Sequence, residues 1–423
     1  MIQSQDIPNE VKTSMDGLRV GMYVTRLDRP WLETPFPLQG VKIKSAEDID
    51  LLRRYANYVY VDIERGHAPE NRFWILEGQL ALQDEVPAPV QPQFRETTNE
   101  YTKLKKCFYR ISTTVEQEMD SARQITGQLD NNIKRLYGDL EKGHHLDISL
   151  VKEGVAALVD SVTRNPSAFS LLMQMQKSDE YTYNHSLGTS VWCAQFGRHL
   201  GLEKDDIREL ALGGMLLDVG KVRLPQTLLS KKEAISPAEA MQIQQHVDHS
   251  LRILAQTGAV SPRVMKMVAT HHERADGNGY PEGLPNDQIP IFGRIAGIVD
   301  SYDAMTSKKP YTEQIYSPVE AIDELYKCRG SSFQEELVEQ FIQTIGIYPT
   351  GSLIEFVDGS VGVVLEVNDL KRLFPVVMIL LDEKKVPLEN FLKIDLSRED
   401  SEYKIKNALP YGAYGIKMDE LFL

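Results

Sequence analysis

The chain holds nine histidines, and four of them, His185, His246 and the adjacent pair His271-His272, fall in stretches that share a region with the acids Asp218, Asp300 and Asp303. The acids stand in apolar helical sequence, Leu217-Asp-Val-Gly-Lys221 and Asp300-Ser-Tyr-Asp303, where a lone carboxylate is costly. Buried acids need cations. Imidazole nitrogens and carboxylates together suit divalent iron or manganese, with zinc as a further option, and one carboxylate can bridge two ions. Neighbouring residues on a helix project about 100° apart. His271 and His272 therefore address one centre only at a helix end or with one ring swung back, and the Gly/Pro-rich break beginning at Asp276 supplies that end. His199 and His249 stand outside this pattern and read as solvent-facing or core histidines. Asp303 reads equally as a helix buttress or as a residue that orients a ligand.

The elements needed to position these residues follow from periodicity. Helical spacing predicts helices at Val151 to Val162, Asn184 to Leu200, Ile207 to Leu217 and Pro237 to Gln256, interrupted by an ordered loop from Asp276 to Pro290. These define a helical domain at residues 148–347. Before it, residues 1–85 read as a small α/β domain, with strands at Val20 to Val24 and Val59 to Ile63 around a helix capped by Ser45. Pro87, Pro89 and Pro92 place a linker at residues 86–98. Residues 99–147 are expected to form a connecting helix, its apolar positions running from Leu104 and Phe108 to Ile125 and Leu129. After Tyr348-Pro349 the texture becomes alternating, and a hairpin turning at Asp358-Gly359 plus a strand at Pro375 to Leu381 predict a β-rich appendage over residues 348–423. The fold class is mainly α, with a small α/β N-terminal domain and the C-terminal β appendage.

Composition bounds the function. With 61 acidic against 47 basic residues the net charge is −14, which disfavours a nucleic-acid polymer as partner while leaving room for a small phosphorylated ligand. Cys107, Cys193 and Cys328 are far apart and form no CxxC, so neither a disulfide framework nor a thiolate zinc site is expected and a reducing cytoplasm fits. The first residues lack a basic segment followed by an apolar one, and no run reaches the roughly 18 apolar residues of a membrane span. A cytoplasmic protein, neither exported nor membrane-inserted, is the expectation.

The residues carry a resemblance as well. Asn184-His-Ser186, Asp218-Val-Gly-Lys221, His246-Val-Asp-His-Ser250, His271-His-Glu-Arg-Ala-Asp-Gly-Asn-Gly-Tyr-Pro-Glu-Gly-Leu284, Arg294-Ile295, Asp300 to Met305 and Pro310-Tyr311 occur in that order, and the ordered set resembles the HD-GYP branch of the HD-domain metal phosphohydrolases. The flanks also look like an arrangement of that family in which a small N-terminal domain of uncharacterised function comes first.

The resemblance implies a bacterial signalling protein, a phosphodiesterase that hydrolyses cyclic di-GMP to pGpG, with GMP as a further product. It implies two divalent ions, iron or manganese: His185, Asp218 and Asp300 would hold the first, and Asp218, His246, His271 and His272 the second. Asp218 would be the bridge and, with Lys221, the catalytic pair. Lys221, Tyr280, Arg294, Lys308 and Lys309 would meet the nucleotide. The implied reaction is attack of water at phosphorus with a ribose oxygen leaving, the accumulating charge being met by metals and cations.

Four positions depart from the family pattern. Leu217-Asp218 stands where His-Asp is usual, so the first ion loses an imidazole; Tyr181 replaces the glutamate of three-metal members; Lys309 and Thr312 replace basic residues of the Pro-Tyr region. Leu217 supports an alternative in which the chain binds cyclic di-GMP, or a diguanylate cyclase of the GGDEF type, without turnover. A homodimer is a further expectation of partnership.

Overall fold

The computed structural model describes residues 10–28, 41–63, 65–73, 107, 109–144, 147–175, 181–307, 315–368, 373–398 and 401–416. The protein is mainly helical, with a small sheet near each end. It divides into two compact units, Met1–Arg95 with Asp369–Leu373, and Glu96–Asn368 with Phe374–Leu423. The linker expected at residues 86–98 lies outside the described residues.

In the first unit four antiparallel strands stand in the order Glu10–Ser14, Tyr58–Asp62, Tyr23–Leu27, Val41–Lys42. Helix Ala46–Tyr55 begins where expected, since the Ser45 and Asp48 side chains form a reciprocal capping box. The first strand of the sequence reading is displaced from Val20–Val24 to Tyr23–Leu27, because Gly21 turns the chain at φ 96°.

The second unit opens with helix Val115–Glu141. Its start corrects the helix expected from residue 99: Thr114 and Gln117 form a capping box, and the described residues 109–114 are non-helical. Helix Tyr181–His199 lies at the centre, packed by Ser149–Arg164, Lys204–Leu216, Ile291–Thr306 and Glu335–Ile345. Its residues from His185 to Gly197 are all buried, as those of a helix enclosed by others must be. Trp192 meets Tyr302 edge-on at 5.4 Å, and Phe341 closes the cluster against Tyr302 at 5.3 Å and Phe196 at 5.2 Å. The helix expected over Pro237 to Gln256 is two, Pro237–Gln244 and His246–Thr257, because the chain breaks at Gln245.

The C-terminal strands form a five-stranded antiparallel sheet ordered Pro387–Asp395, Val376–Leu381, Val361–Glu366, Leu353–Phe356, Ile405–Ala408. Alternation places Val361 and Val363 in one apolar cluster and Val364 in the other, so both faces of the central strand are packed. Strands Pro387–Asp395 and Ile405–Ala408 add to those read from the sequence.

Candidate metal centre

Six of the residues singled out above converge. Single donor atoms of Asp218, His246, His271 and His272 all lie within 4.8 Å of one another, as do those of His185, Asp218 and Asp300. Asp218 belongs to both groups.

Each side chain is delivered by a helix or its end. Helix Lys204–Leu216 stops before Asp218, and a 3-10 turn over Val219–Arg223 carries the chain away. Gly220 is required in that turn, since a Cβ would sit 2.1 Å from the His246 carbonyl oxygen. The Gly220 amide donates to Ser250 Oγ at 2.8 Å, and that hydroxyl donates to the Leu217 carbonyl at 2.9 Å. The Asp218 turn is thereby fastened to helix His246–Thr257, whose first residue is His246. His271 caps helix Pro262–Thr270 and His272 follows it; the helix end lets both rings approach, with centroids 4.0 Å apart. Asp300 and Asp303 are three residues apart on helix Ile291–Thr306 and share a face.

Hydrogen bonds fix which nitrogens face the centre. His246 Nδ1 donates to the Ile243 carbonyl at 2.8 Å and His271 Nδ1 to the Val268 carbonyl at 2.7 Å. A carbonyl only accepts, so each Nε2 keeps its lone pair. These two Nε2 atoms and Asp218 Oδ1 are buried with no hydrogen-bond partner. His246 Nε2 and Asp218 Oδ1 stand 3.2 Å apart, yet without hydrogen-bond geometry. Buried lone pairs left unsatisfied are costly, and a divalent cation is the group that three converging acceptors fit. HD-domain chemistry and this donor set agree on divalent metal binding.

Electrostatics points the same way. Burial lowers the pKa of all three rings: His271 falls to about 4, His246 falls, and His272 falls well below its ordinary value, helped by His271 beside it. The three rings are neutral at pH 7. Burial pushes the Asp218 carboxyl up, but the Lys221 ammonium and the His185 and His246 rings outweigh it and hold the group well below the carboxylate range. Asp300 is likewise held ionised against its burial by the His185 hydrogen bond and the neighbouring rings.

On the other side His185 Nδ1 meets Asp303 Oδ2 at 2.7 Å, and Nε2 meets Asp300 Oδ1 at 3.0 Å. Asp303 is in turn held by Trp192 Nε1 at 3.2 Å. It fixes the His185 ring and also accepts from Ser307 Oγ at 3.1 Å at the end of its own helix, so both roles that the sequence left open are present. Gly188 makes this possible, because a Cβ there would meet Asp303 Oδ1 at 2.0 Å.

Of the nucleotide-facing candidates, Lys221 Nζ lies 2.5 Å from Asp218 Oδ2. Tyr280 stacks on His272 with centroids 4.5 Å apart, and its amide donates to the His272 carbonyl. Arg294 donates to Gln334 Oε1 at 2.7 Å, and its place six residues before Asp300 puts it on a different face of the helix, about 9 Å along the axis. Lys308 and Lys309 lie outside the described residues, as does Thr312. His199 Nε2 meets Gln340 Oε1 at 3.0 Å, away from the rings. The sequence reading missed one contributor: buried Glu273 accepts the amides of Glu282 at 2.7 Å and Leu284 at 2.8 Å, tying down the loop that carries Tyr280. Its signal was an acid directly after the histidine pair.

Residues 167–337 match the HD domain family, and residues 10–151 match a domain of unknown function, DUF3391. The chain is 30% identical over 410 residues to the cyclic di-GMP phosphodiesterase PA4108 of Pseudomonas aeruginosa, covering 96% of this chain and 94% of the relative. A cyclic di-GMP phosphodiesterase of Thermotoga maritima is 32% identical over 41% of this chain and 47% of its own length. A 3′3′-cGAMP-specific phosphodiesterase 2 of Vibrio cholerae is 29% identical over 52% of this chain and 41% of its own. Among the described residues no helix is long and apolar enough to cross a membrane. The near full-length similarity, together with the two family matches, shows that the chain belongs to the HD-GYP phosphodiesterase family of HD-domain proteins, in the form preceded by a domain of unknown function.

Proposed function

We propose that the chain is a metal-dependent phosphodiesterase that hydrolyses cyclic di-GMP to the linear dinucleotide pGpG, with GMP as a further product. The observation that carries this reading is the trio of buried, unpartnered acceptors, Asp218 Oδ1, His246 Nε2 and His271 Nε2, in a chain similar over nearly its whole length to a protein named for that activity. The donor set of imidazoles and carboxylate favours iron or manganese. When bound, the ion supplies Lewis acidity at the phosphoryl group and a nucleophile from water at neutral pH.

The chain's own residues do the rest. Asp218, His246, His271 and His272 would hold one ion and His185, Asp218 and Asp300 the other, and burial keeps the His246, His271 and His272 rings neutral. Lys221 places its ammonium at the rim of the Asp218 carboxylate, adding positive charge where phosphoryl oxygens accumulate it. Tyr280, stacked on His272 and held in a loop tied down by Glu273, shapes the surface that a guanine or ribose meets. Arg294 and the Lys308-Lys309 pair are the remaining cations proposed for the dianionic ligand, with cytoplasmic signalling as the setting.

The test is a turnover assay on iron- or manganese-loaded protein, with cyclic di-GMP and 3′3′-cGAMP offered separately. Hydrolysis of cyclic di-GMP to pGpG, lost in Asp218→Asn, is the expected result. Leu217, buried at 1% exposure where the family has a ligating histidine, favours one other reading. If ion-loaded protein binds cyclic di-GMP tightly and does not cleave it, the chain is a non-catalytic binder of the nucleotide or of a diguanylate cyclase.

A further inference from the structure

Helix Pro262–Thr270 runs out into the histidine pair, and the carbonyls that a helix leaves without partners at such an end need donors. Each is supplied from close by. The Glu273 amide donates to the Thr270 carbonyl at 3.0 Å, and the Tyr280 amide to the His272 carbonyl at 3.2 Å. The carbonyls of His271 and Glu273 share one side chain: Arg274 Nη1 lies 3.1 Å from the first and 2.9 Å from the second. A guanidinium Nη carries two N–H groups, so a single atom serves both. Its positive charge also suits the end of a helix.

The guanidinium has a seat. Its carbon stands 5.0 Å from the centre of the Phe333 ring, which is buried. On helix Ile291–Thr306, Gly297 leaves the room, because a Cβ there would come 3.0 Å from the His271 carbonyl oxygen and 3.4 Å from Nη1. The Ala275 amide donates to the Ser332 carbonyl at 2.9 Å, which fastens the next residue of the loop to the segment that carries Phe333. Beyond Arg274, the Glu273 carboxylate holds the Glu282 and Leu284 amides, and the Tyr280 ring stacks on His272. The rings that face the ion and the loop that faces the nucleotide therefore hang on one stretch of backbone, His271 to Glu273. Arg274 clamps both ends of that stretch.

We infer that Arg274 is a positioning residue of this site: by holding the His271 and Glu273 carbonyls together it sets the histidine pair for the ion and the Tyr280 loop for the nucleotide at once. Its part in the reaction rests on the reading as a metal-dependent phosphodiesterase. A lysine does not replace it, since a compact ammonium lacks the flat fork that lies on Phe333.

The experiment compares the full chain with Arg274→Ala and Arg274→Lys, each first checked for folding by circular dichroism. Manganese affinity of the metal-free protein is read by electron paramagnetic resonance, and backbone hydrogen exchange is followed at residues 280–284. Arg274→Ala should weaken manganese binding by about tenfold and speed exchange of that loop by about tenfold, with exchange in helix Val115–Glu141 as in the parent. Arg274→Lys should show both effects in smaller measure, and it carries the test if the alanine variant does not fold. Parent manganese affinity or parent loop exchange in a folded variant overturns the inference. So does faster exchange spread evenly through the protein, which marks lost stability rather than lost positioning, and so does failure of both variants to fold. The functional reading fails separately. A parent that binds manganese and shows both effects of Arg274→Ala, yet does not cleave cyclic di-GMP, sinks the activity alone; cleavage by the parent with both readouts unmoved in Arg274→Ala sinks the positioning role alone.

Discussion

Two buried carboxylates in the second unit invite comparison. Glu118, near the start of helix Val115–Glu141, and Asp218, at the candidate metal centre, are each 2% exposed. Glu118 is saturated: Oε1 accepts from Ser161 Oγ at 2.7 Å and Arg164 Nη2 at 2.5 Å, and Oε2 from Arg164 Nε and Thr113 Oγ1, both at 3.0 Å. That knot joins the start of one helix to the end of Ser149–Arg164. Asp218 has one oxygen paired and the other with none. Burial of charge is common to both, so burial alone does not mark function. The unspent lone pair does.

The largest expected effect breaks the comparison at Asp218. Asp218→Asn should abolish ion binding and lower turnover by about 10²–10³-fold or more and, by removing the charge that Lys221 meets, cost the metal-free protein about 1.5–3 kcal/mol as well. Elemental analysis and urea denaturation check the two halves. Glu118→Gln should leave ion content and turnover untouched while costing about 1–3 kcal/mol in urea denaturation. The Arg164 side chain is 42% exposed, which keeps the loss below that of a fully buried pair.

Acid sharpens the same contrast. Burial raises the Glu118 carboxyl, but the Arg164, Ser161 and Thr113 hydrogen bonds outweigh it and hold its pKa below the ordinary 4.5. The unfolded chain takes up this proton first as pH falls. The contribution of Glu118 to stability is therefore complete above pH 4.5 and is lost as pH drops through the lower native value. Urea denaturation below pH 4.5 should show a shallower acid dependence in Glu118→Gln than in the parent. The smallest effect is expected at Glu273, whose two oxygens serve two loop amides. Glu273→Gln turns an NH2 group toward one of those donors, and cyclic di-GMP affinity should fall by up to about tenfold, roughly 1.4 kcal/mol, with ion content unchanged in the same elemental assay.

The contrast also explains what the sequence could show. Asp218 and its histidines stand in dense motifs, so residue types and order alone announce them. The Glu118 knot draws on Thr113, Ser161 and Arg164, residues that are neither rare nor patterned, and only folding brings them together. The helix start at Val115 did carry a local sign, Thr114-x-x-Gln117, which overrides apolar spacing that continues upstream. Strand Pro387–Asp395 carried little: it lies at the sheet edge with Phe391 and Leu392 exposed at 48% and 49%, so the alternation that marks a half-buried strand is missing. The orientation of His185 by Asp303 was legible as a spacing from Asp300, but its geometry depended on Gly188.

The Ser250 hydroxyl, bound to the Gly220 amide and the Leu217 carbonyl, has a thermodynamic consequence for loading. It couples the Asp218 turn to the His246 helix without help from any ion, so these donors are ordered before metal arrives. Little conformational entropy is then left to lose on binding, and affinity is gained by preorganisation. Loading the centre becomes a matter of shedding an ion's hydration shell, and the apo protein keeps the shape of its own ligand sphere.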